Sequence, residues 1–325
     1  YADEMNRYTL YARGYGENRL YRIAAGPRNA NYKWTEVLMR DASMYVDAIA
    51  LHYYTRVEDK IITTHLPDGN ERYYSDDSRS RKSATEFGEE DWFGIMKAAA
   101  YTEELIAKHT AIMDRYDPDK RTALVVDEWG TWFDNETGTN PGFLYQQNTL
   151  RDAVSAAVSL NIFNNHSDRV HMANIAQTVN VLQAMILTEG ERMLLTPTYH
   201  VFDMYKVHQD ADLLDFAMLS DDYVWEGERV HQISASVSRD AAGKLHMTLA
   251  NVNPDQAAEV TCHIGDFDGA PHVEGSVLTA AAMNARNTFE QPEQVKPQAF
   301  ADFTVEGCTL HIQMPAKSVV LLTVS

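Results

Sequence analysis

The chain has 325 residues, with 28 Lys and Arg against 47 Asp and Glu, so its formal net charge at pH 7 is −19. This acidity argues against a nucleic-acid partner, because proteins that bind nucleic acid usually present a basic face. No run approaches the 18 or so consecutive apolar residues of a membrane-spanning helix, so no membrane partner is expected, and two cysteines are too few for a disulfide framework.

The first two thirds of the chain alternate short apolar runs with helical patterns. We predict strands at 20–26, 46–54, 122–129 and 170–177, and helices over 1–11, 34–45, 90–116, 145–166 and within the run that ends near residue 209. The polar stretch 64–88 is predicted to be a long surface loop. Strands that alternate with helices predict a parallel sheet covered on both faces.

From about residue 215 the pattern changes to apolar and polar residues in alternation, with turn residues between the runs. Short strands with this spacing are typical of an antiparallel β-sandwich. We therefore predict two domains, an α/β domain over residues 1–212 and a β-sandwich over residues 213–325.

Polar residues follow the predicted parallel strands where each strand ends. His52 and Tyr54 end the second strand, Glu128 ends the third, and Asn174 and Gln177 end the fourth. In a (β/α)₈ barrel the functional residues lie at this carboxyl-terminal rim. Four strands cannot close such a barrel, so the pattern predicts the second half of one, containing strands five to eight.

Glu128 lies in the stretch ALVVDEWGTW, between an apolar strand and two tryptophans. Aromatic rings beside a carboxylate suit a sugar, whose C–H faces are apolar, and a glutamate can attack an anomeric carbon. Tyr54 could donate a hydrogen bond that keeps this carboxylate ionised. Trp132 is the candidate substrate wall, whereas Trp129 is expected to pack behind the strand. The alternative for Glu128 is a rim salt bridge or helix cap.

The other candidate residues also have structural alternatives. His52 could be a hydrogen-bonded core histidine, and Asn174 and Gln177 could satisfy backbone groups at the rim. The histidines show no metal-ligand spacing, and no glycine-rich phosphate loop is present. We therefore expect no metal site and no cofactor.

Several motifs together resemble one enzyme family. DEWGTW, LHYYT, MANIAQTVNV and LLTPTYHVFDMYKVH resemble the α-L-arabinofuranosidases of glycoside hydrolase family 51. The resemblance implies a (β/α)₈ barrel followed by a β-sandwich, and hydrolysis with retention through two glutamates. It implies that Glu128 is the nucleophile at the end of strand seven, that His52 and Tyr54 end strand six, and that Trp132 and Gln177 contact the sugar.

The resemblance also implies an acid/base glutamate in a Gly-Asn-Glu motif that ends strand four. This motif should precede residue 20 by a helix, so we expect it upstream of residue 1, in a missing N-terminal barrel half. Gly69-Asn70-Glu71 is rejected, because it follows the strand-six motif and lies in a Pro-Asp-Gly-Asn turn. The chain alone is therefore expected to be nearly inactive on unactivated arabinosides.

The expected function is release of terminal α-L-arabinofuranose from arabinoxylan, arabinan or arabino-oligosaccharides. The alternatives are an endo-β-glucanase of the same family and a non-catalytic carbohydrate-binding remnant that lacks the acid/base residue. A cytoplasmic location is expected, since no signal peptide is visible. The resemblance is also compatible with a homo-oligomer.

Overall fold

The computed structural model describes residues 1–57, 81–265 and 271–325, together with the backbone of two strands at 61–65 and 71–75. The helices are α1 (Ala2–Tyr11), α2 (Tyr32–Asp41), α3 (Glu89–Tyr116), α4 (Leu150–Asn165) and α5 (Pro197–Tyr205). The strands are β1 (Ile23–Ala24), β2 (Ala48–Thr55), β3 (Ile61–His65), β4 (Glu71–Ser75), β5 (Ala123–Thr131), β6 (Val170–Ile175), β7 (Ile186–Glu189), β8 (Arg192–Leu195), β9 (Asp212–Leu213), β10 (Asp222–Trp225), β11 (Glu228–His231), β12 (Ile233–Arg239), β13 (Leu245–Asn251), β14 (Ala258–His263), β15 (Val273–Leu278), β16 (Gln298–Ala299), β17 (Phe303–Glu306), β18 (Thr309–Met314) and β19 (Ser318–Val324).

A parallel sheet forms from the four strands β1, β2, β5 and β6, in that spatial order. Helix α3 packs on β2, and α4 packs on β5 and β6. The strands are covered on two faces. Leu124 and Val126 belong to the large core under the helices, whereas Ala48, Ala123 and Val125 form a separate cluster on the opposite face, here called the inner face. The predicted α/β arrangement with a parallel sheet is confirmed.

The helices begin where the sequence supplies caps. Thr149 and Asp152 form a capping box at α4, each side chain bonding the other's backbone N–H. The Asn31 side chain accepts from the backbone of Trp34 at the start of α2. Helix α4 therefore starts five residues later than predicted, because the cap lies at Thr149.

Two parts of the chain differ from the sequence-based expectation. Residues 64–88 were predicted to be a long surface loop. Strand β4 lies inside this stretch, β3 overlaps its beginning, and the two strands pair antiparallel. The Pro67-to-Asn70 turn prediction lies outside the described residues. Strands β7 and β8 form a hairpin where a helical run was expected, with Gly190 at φ +59° in its turn.

The C-terminal strands form an antiparallel sandwich. A six-stranded sheet has the order β16-β15-β19-β13-β12-β9, and a three-stranded sheet has the order β14-β18-β17. Leu249 and Leu322 from the larger sheet share one buried cluster with Leu310 and Ile312 from the smaller sheet. The predicted sandwich is confirmed in kind, while the division between residues 212 and 213 stays a prediction.

The parallel sheet's helices also pack on the six-stranded sheet. The indole of Trp92 in α3 donates to the carbonyl of Val252 at 2.8 Å. Asn161 in α4 accepts from the Thr248 hydroxyl at 2.8 Å, and this hydroxyl also lies 2.9 Å from His208 Nε2. Burial lowers the pKa of His208 to about 4. Polar groups that are buried between two layers must be paired with each other, so this network holds the layers in one relative position.

Candidate active site

The carboxyl-terminal ends of β2 and β5 lie side by side and carry the candidate catalytic residues. His52 pairs with Glu128 across the parallel ladder, and Tyr54 pairs with Gly130. The side chains of His52 and Tyr54 are two residues apart on one strand, so they lie on the same face. The sheet therefore brings together the three residues that the sequence analysis placed at neighbouring strand ends.

A β-bulge in β5 places two consecutive carboxylates on one face. Relative to β2 the pairing jumps from Ala50–Val125 to His52–Glu128, so β5 contains one extra residue, and a matching shift occurs against β6. Such an insertion interrupts the usual alternation of side chains. Asp127 and Glu128 therefore both reach His52, while Trp129 returns to the side of the helices.

Glu128 has one carboxylate oxygen held by the protein. The hydroxyl of Tyr54 donates to Oε2 at 3.2 Å, and His52 Nδ1 lies 3.1 Å from the same atom. Within residues 1–57, 81–265 and 271–325, Oε1 accepts no hydrogen bond, and the Glu128 side chain is 46% exposed. Burial, and after it the charge of Glu128, raises the pKa of Tyr54, so the phenol remains a donor.

His52 also contacts the second carboxylate. Its Nε2 atom lies 3.1 Å from Asp127 Oδ1. Burial raises the pKa of Asp127 above its ordinary value, and the charge of His52 opposes that shift. The imidazole thus lies between two acidic side chains.

The backbone of His52 is fixed by the segment that follows β1. His52 N–H donates to Pro27 O at 3.1 Å, and Asn29 N–H donates to His52 O at 2.9 Å. Gly26 permits this close approach, because a Cβ there would lie 1.4 Å from Ala50 O. Any other residue at position 26 would push the two strands apart.

A buried histidine supports the same segment from helix α3. His109 Nε2 lies 2.9 Å from the carbonyl of Asn29, and its Nδ1 lies 2.8 Å from the Thr35 hydroxyl. Burial lowers the pKa of His109 to about 4, so the ring is neutral near pH 7. A neutral ring donates through one nitrogen and accepts through the other. Donation to Asn29 and acceptance from Thr35 satisfy both.

Trp132 lies next to Tyr54, on the strand end beyond the nucleophile candidate. Their ring centroids are 5.0 Å apart with an edge-on angle of 68°. The guanidinium groups of Arg56 and Arg81 lie 4.9 and 4.7 Å from the Trp132 ring centroid. Such cation–π contacts fix the orientation of the indole. The role of Trp132 as a substrate wall stays a prediction.

Trp129 faces the other way, as expected from the sequence. It is 3% exposed and packs on Phe163 and Phe202, with ring centroids 5.2 and 6.0 Å away. The expectation that Trp129 packs behind the strand is confirmed.

Comparison with known proteins identifies the family. A family model described as the α-L-arabinofuranosidase C-terminal domain matches residues 127–318. An intracellular exo-α-L-arabinofuranosidase of Bacteroides ovatus is 44% identical over 323 residues, which is 99% of this chain and 59% of that protein. The crystal structure of the family 51 arabinofuranosidase from Xanthomonas axonopodis pv. citri matches with a TM-score of 0.91 at 42% identity, covering 100% of this chain and 62% of that one. The chain belongs to the family 51 arabinofuranosidases.

More distant members share the fold. An α-L-arabinofuranosidase from Thermotoga maritima, solved as an arabinose complex, is 20% identical with a TM-score of 0.75. An intracellular exo-α-(1→5)-L-arabinofuranosidase of Streptomyces lividans is 22% identical over 280 residues, 38% of its length. The chain spans about three fifths of the Bacteroides ovatus relative and of the Xanthomonas structure.

Two candidate residues of this arabinofuranosidase-family chain lie on or beyond β6, and both are exposed. Asn174 lies on the strand, and Gln177 follows it after a cis peptide bond. Whether these two side chains contact a sugar or satisfy backbone groups at the rim stays a prediction. Their predicted contact with a sugar is not tested by this geometry.

Asp127 is a residue at the candidate site for which the sequence predicted no role. The available clue was the pair of consecutive carboxylates in an otherwise apolar strand, since strict alternation would bury one of them under the helices. Among the described residues, no group of three His, Cys, Asp or Glu side chains could hold a metal ion. None of the described helices has the length and apolar character needed to cross a bilayer.

Proposed function

We propose that this chain supplies the nucleophile and part of the sugar pocket of a retaining, exo-acting α-L-arabinofuranosidase. The substrates are arabinoxylan, arabinan or their oligosaccharides, from which terminal arabinofuranose is released. One observation carries the proposal. Glu128 is a partly exposed carboxylate at the carboxyl end of a parallel strand, with one oxygen held by Tyr54 and His52. The names of the curated relatives support the substrate class.

The proposed reaction is a double displacement. Ionised Glu128 attacks the anomeric carbon through Oε1, and a glycosyl ester forms as the leaving oxygen departs with a proton from a second carboxyl group. Water then gives a proton back to that second group and attacks the same carbon, which releases arabinose and regenerates the Glu128 carboxylate. Tyr54 O–H stabilises the ionised nucleophile at the start and again when the ester breaks, because it donates to Oε2.

A retaining glycosidase needs a second carboxyl group about 5–5.5 Å from the first. We propose that this acid/base glutamate belongs to a part of the full-length protein that precedes the present chain. The relatives are longer than the region matched here, which supports the proposal. The four parallel strands would then be strands five to eight of a (β/α)₈ barrel, with a domain boundary between residues 212 and 213.

The comparisons do not favour the alternative functions. The curated relatives are named arabinofuranosidases, and the endo-β-glucanase alternative has no such relative among them. Three of these relatives are named intracellular enzymes, which supports the proposed cytoplasmic location. A homo-oligomer stays a prediction.

The test is covalent trapping in the full-length protein. A mechanism-based arabinofuranosyl label should attach to Glu128, located by peptide mass mapping, and Glu128→Ala should lower kcat/KM by several orders of magnitude. Glu136→Gln is the matched control, because Glu136 lies in the following loop and its carboxylate accepts from the backbone N–H of Gln147 at 3.3 Å. A label on any residue other than Glu128, or near-normal activity of Glu128→Ala, would overturn the proposal.

A further inference from the structure

Asp127 has an environment that the proposed reaction does not explain. Its Oδ1 atom is buried and accepts no hydrogen bond from the described residues. The nearest positively chargeable group is His52, whose Nε2 atom lies 3.1 Å away. Burying a carboxylate oxygen is costly unless an opposite charge compensates it, and His52 is the group within reach. The position therefore points to a role other than packing.

His52 lies between this carboxylate and the nucleophile candidate. Nδ1 is 3.1 Å from Glu128 Oε2, and Nε2 is 3.1 Å from Asp127 Oδ1. Both contacts are within ion-pair distance. A neutral imidazole has one N–H and one lone pair, so one ring nitrogen would direct its lone pair at a carboxylate. Only the doubly protonated ring presents a donor to both.

We propose that Asp127 is a positioning residue that keeps both ring nitrogens of His52 protonated and thereby holds the Nδ1–H side of the ring against Glu128. This inference rests on the proposed function, since it gives Asp127 a task in preparing the nucleophile. Asp127 does not touch the sugar and does not transfer a proton. It acts through His52, whose charge then stabilises the ionised form of Glu128.

The bulge in β5 is what makes this arrangement possible. Without the extra residue, Asp127 and Glu128 would lie on opposite faces, and only one carboxylate could reach His52. Bulges near active sites commonly redirect side chains, and this one brings both carboxylates to His52.

Other charged groups surround the three-residue cluster of Asp127, His52 and Glu128. The Tyr54 hydroxyl donates to Glu128 from the same strand as His52. Arg28 pairs with His52 through its backbone, and the positive charges of Arg28 and Arg56 lower the pKa of Tyr54 against the larger effect of burial. These cations oppose a second positive charge nearby. In this proposal, the two carboxylates beside the ring offset the effect of these cations.

The test uses Asp127→Asn in the full-length protein. Asparagine keeps the size and one oxygen of the side chain but removes the charge, so a purely structural role predicts no change. We expect ¹⁵N NMR at pH 7 to show two protonated ring nitrogens for His52 in the wild type and a single one in Asp127→Asn. The His52 signals are assigned by their loss in His52→Gln. The alkaline limb of the kcat/KM profile should move to lower pH, because the removed negative charge favours the protonated ring.

The matched control is Asp168→Asn, which removes the same charge from an exposed side chain just before β6, paired with Lys120. It should leave both readouts unchanged. Equal protonation of His52 in the wild type and Asp127→Asn would overturn the inference. So would an activity loss confined to substrates with poor leaving groups, because that pattern would make Asp127 the proton donor. The NMR readout does not depend on turnover, so it separates failure of this inference from failure of the proposed function.

Discussion

Replacement of Gly26 by alanine should separate β1 from β2 and displace His52. The added Cβ would lie 1.4 Å from Ala50 O and 2.4 Å from Ala50 C. An ordinary contact between carbon and oxygen is about 3.3 Å or more, so the two backbones must move apart by about 2 Å. No flexible side chain can absorb this shift, because the atoms in conflict belong to the backbone.

The energetic cost follows from what the displacement breaks. The hydrogen bonds from His52 N–H to Pro27 O and from Asn29 N–H to His52 O are 3.1 and 2.9 Å long, and both join the separating segments. Each contributes about 1 kcal/mol net, and overpacking of a close contact adds about 1–3 kcal/mol. We expect Gly26→Ala to lose about 3 kcal/mol or more of unfolding free energy.

The assay is urea unfolding followed by circular dichroism, with kcat/KM measured in parallel on the full-length protein. Gly142→Ala is the matched control, because its Cβ would meet its nearest atom, Asn140 Oδ1, at an ordinary 3.4 Å. It should change the unfolding free energy by no more than about 0.5 kcal/mol. If Gly26→Ala stayed within 1 kcal/mol of the wild type, the close-approach reasoning would be wrong.

Two further predictions concern the phenol and the buried histidine. Tyr54→Phe should lower kcat/KM about 10- to 100-fold without unfolding the protein, because it removes a hydrogen bond to a charged carboxylate but keeps the ring against Trp132; unchanged kcat/KM would contradict it. Since the pKa of His109 is about 4 when folded and near 6.5 when unfolded, stability is fully present above pH 6.5 and is lost as the pH falls towards 4, by about 3 kcal/mol at the limit. Urea midpoints between pH 7.5 and 4 should therefore fall less steeply in His109→Gln, and equal slopes would count against the assignment.

The sequence predicted the elements whose local and tertiary preferences agree. Helix α3 was placed at 90–116 and runs over Glu89–Tyr116, because three acidic residues open it and Asp117-Pro118 follows its end. The strand ends were also predicted, because a polar residue after an apolar run indicates where a strand leaves the buried core. His52, Tyr54 and Glu128 were grouped correctly on this basis.

The parts that were missed depend on which segments of the chain pair with each other. The short apolar runs on either side of Gly190 fit a helix or a strand equally well by pattern. They form a hairpin because the two segments pair, for example Leu187 with Leu194. The bulge in β5 is likewise invisible in composition, because an extra residue is defined only against a neighbouring strand. The relation between Asp127 and His52 could not be predicted without it.

The hydrogen bonds that join α3 and α4 to the six-stranded sheet limit how the C-terminal sheets of this protein can be removed or exchanged. A protein cut after residue 212 would expose the indole N–H of Trp92 and the amide of Asn161, which bond Val252 and Thr248 across the cut. Engineers who exchange the C-terminal sheets for another module would therefore have to supply replacement acceptors and donors at these positions. The C-terminal sheets therefore help to hold α3 and α4 in place, and they cannot be exchanged without replacing these bonds.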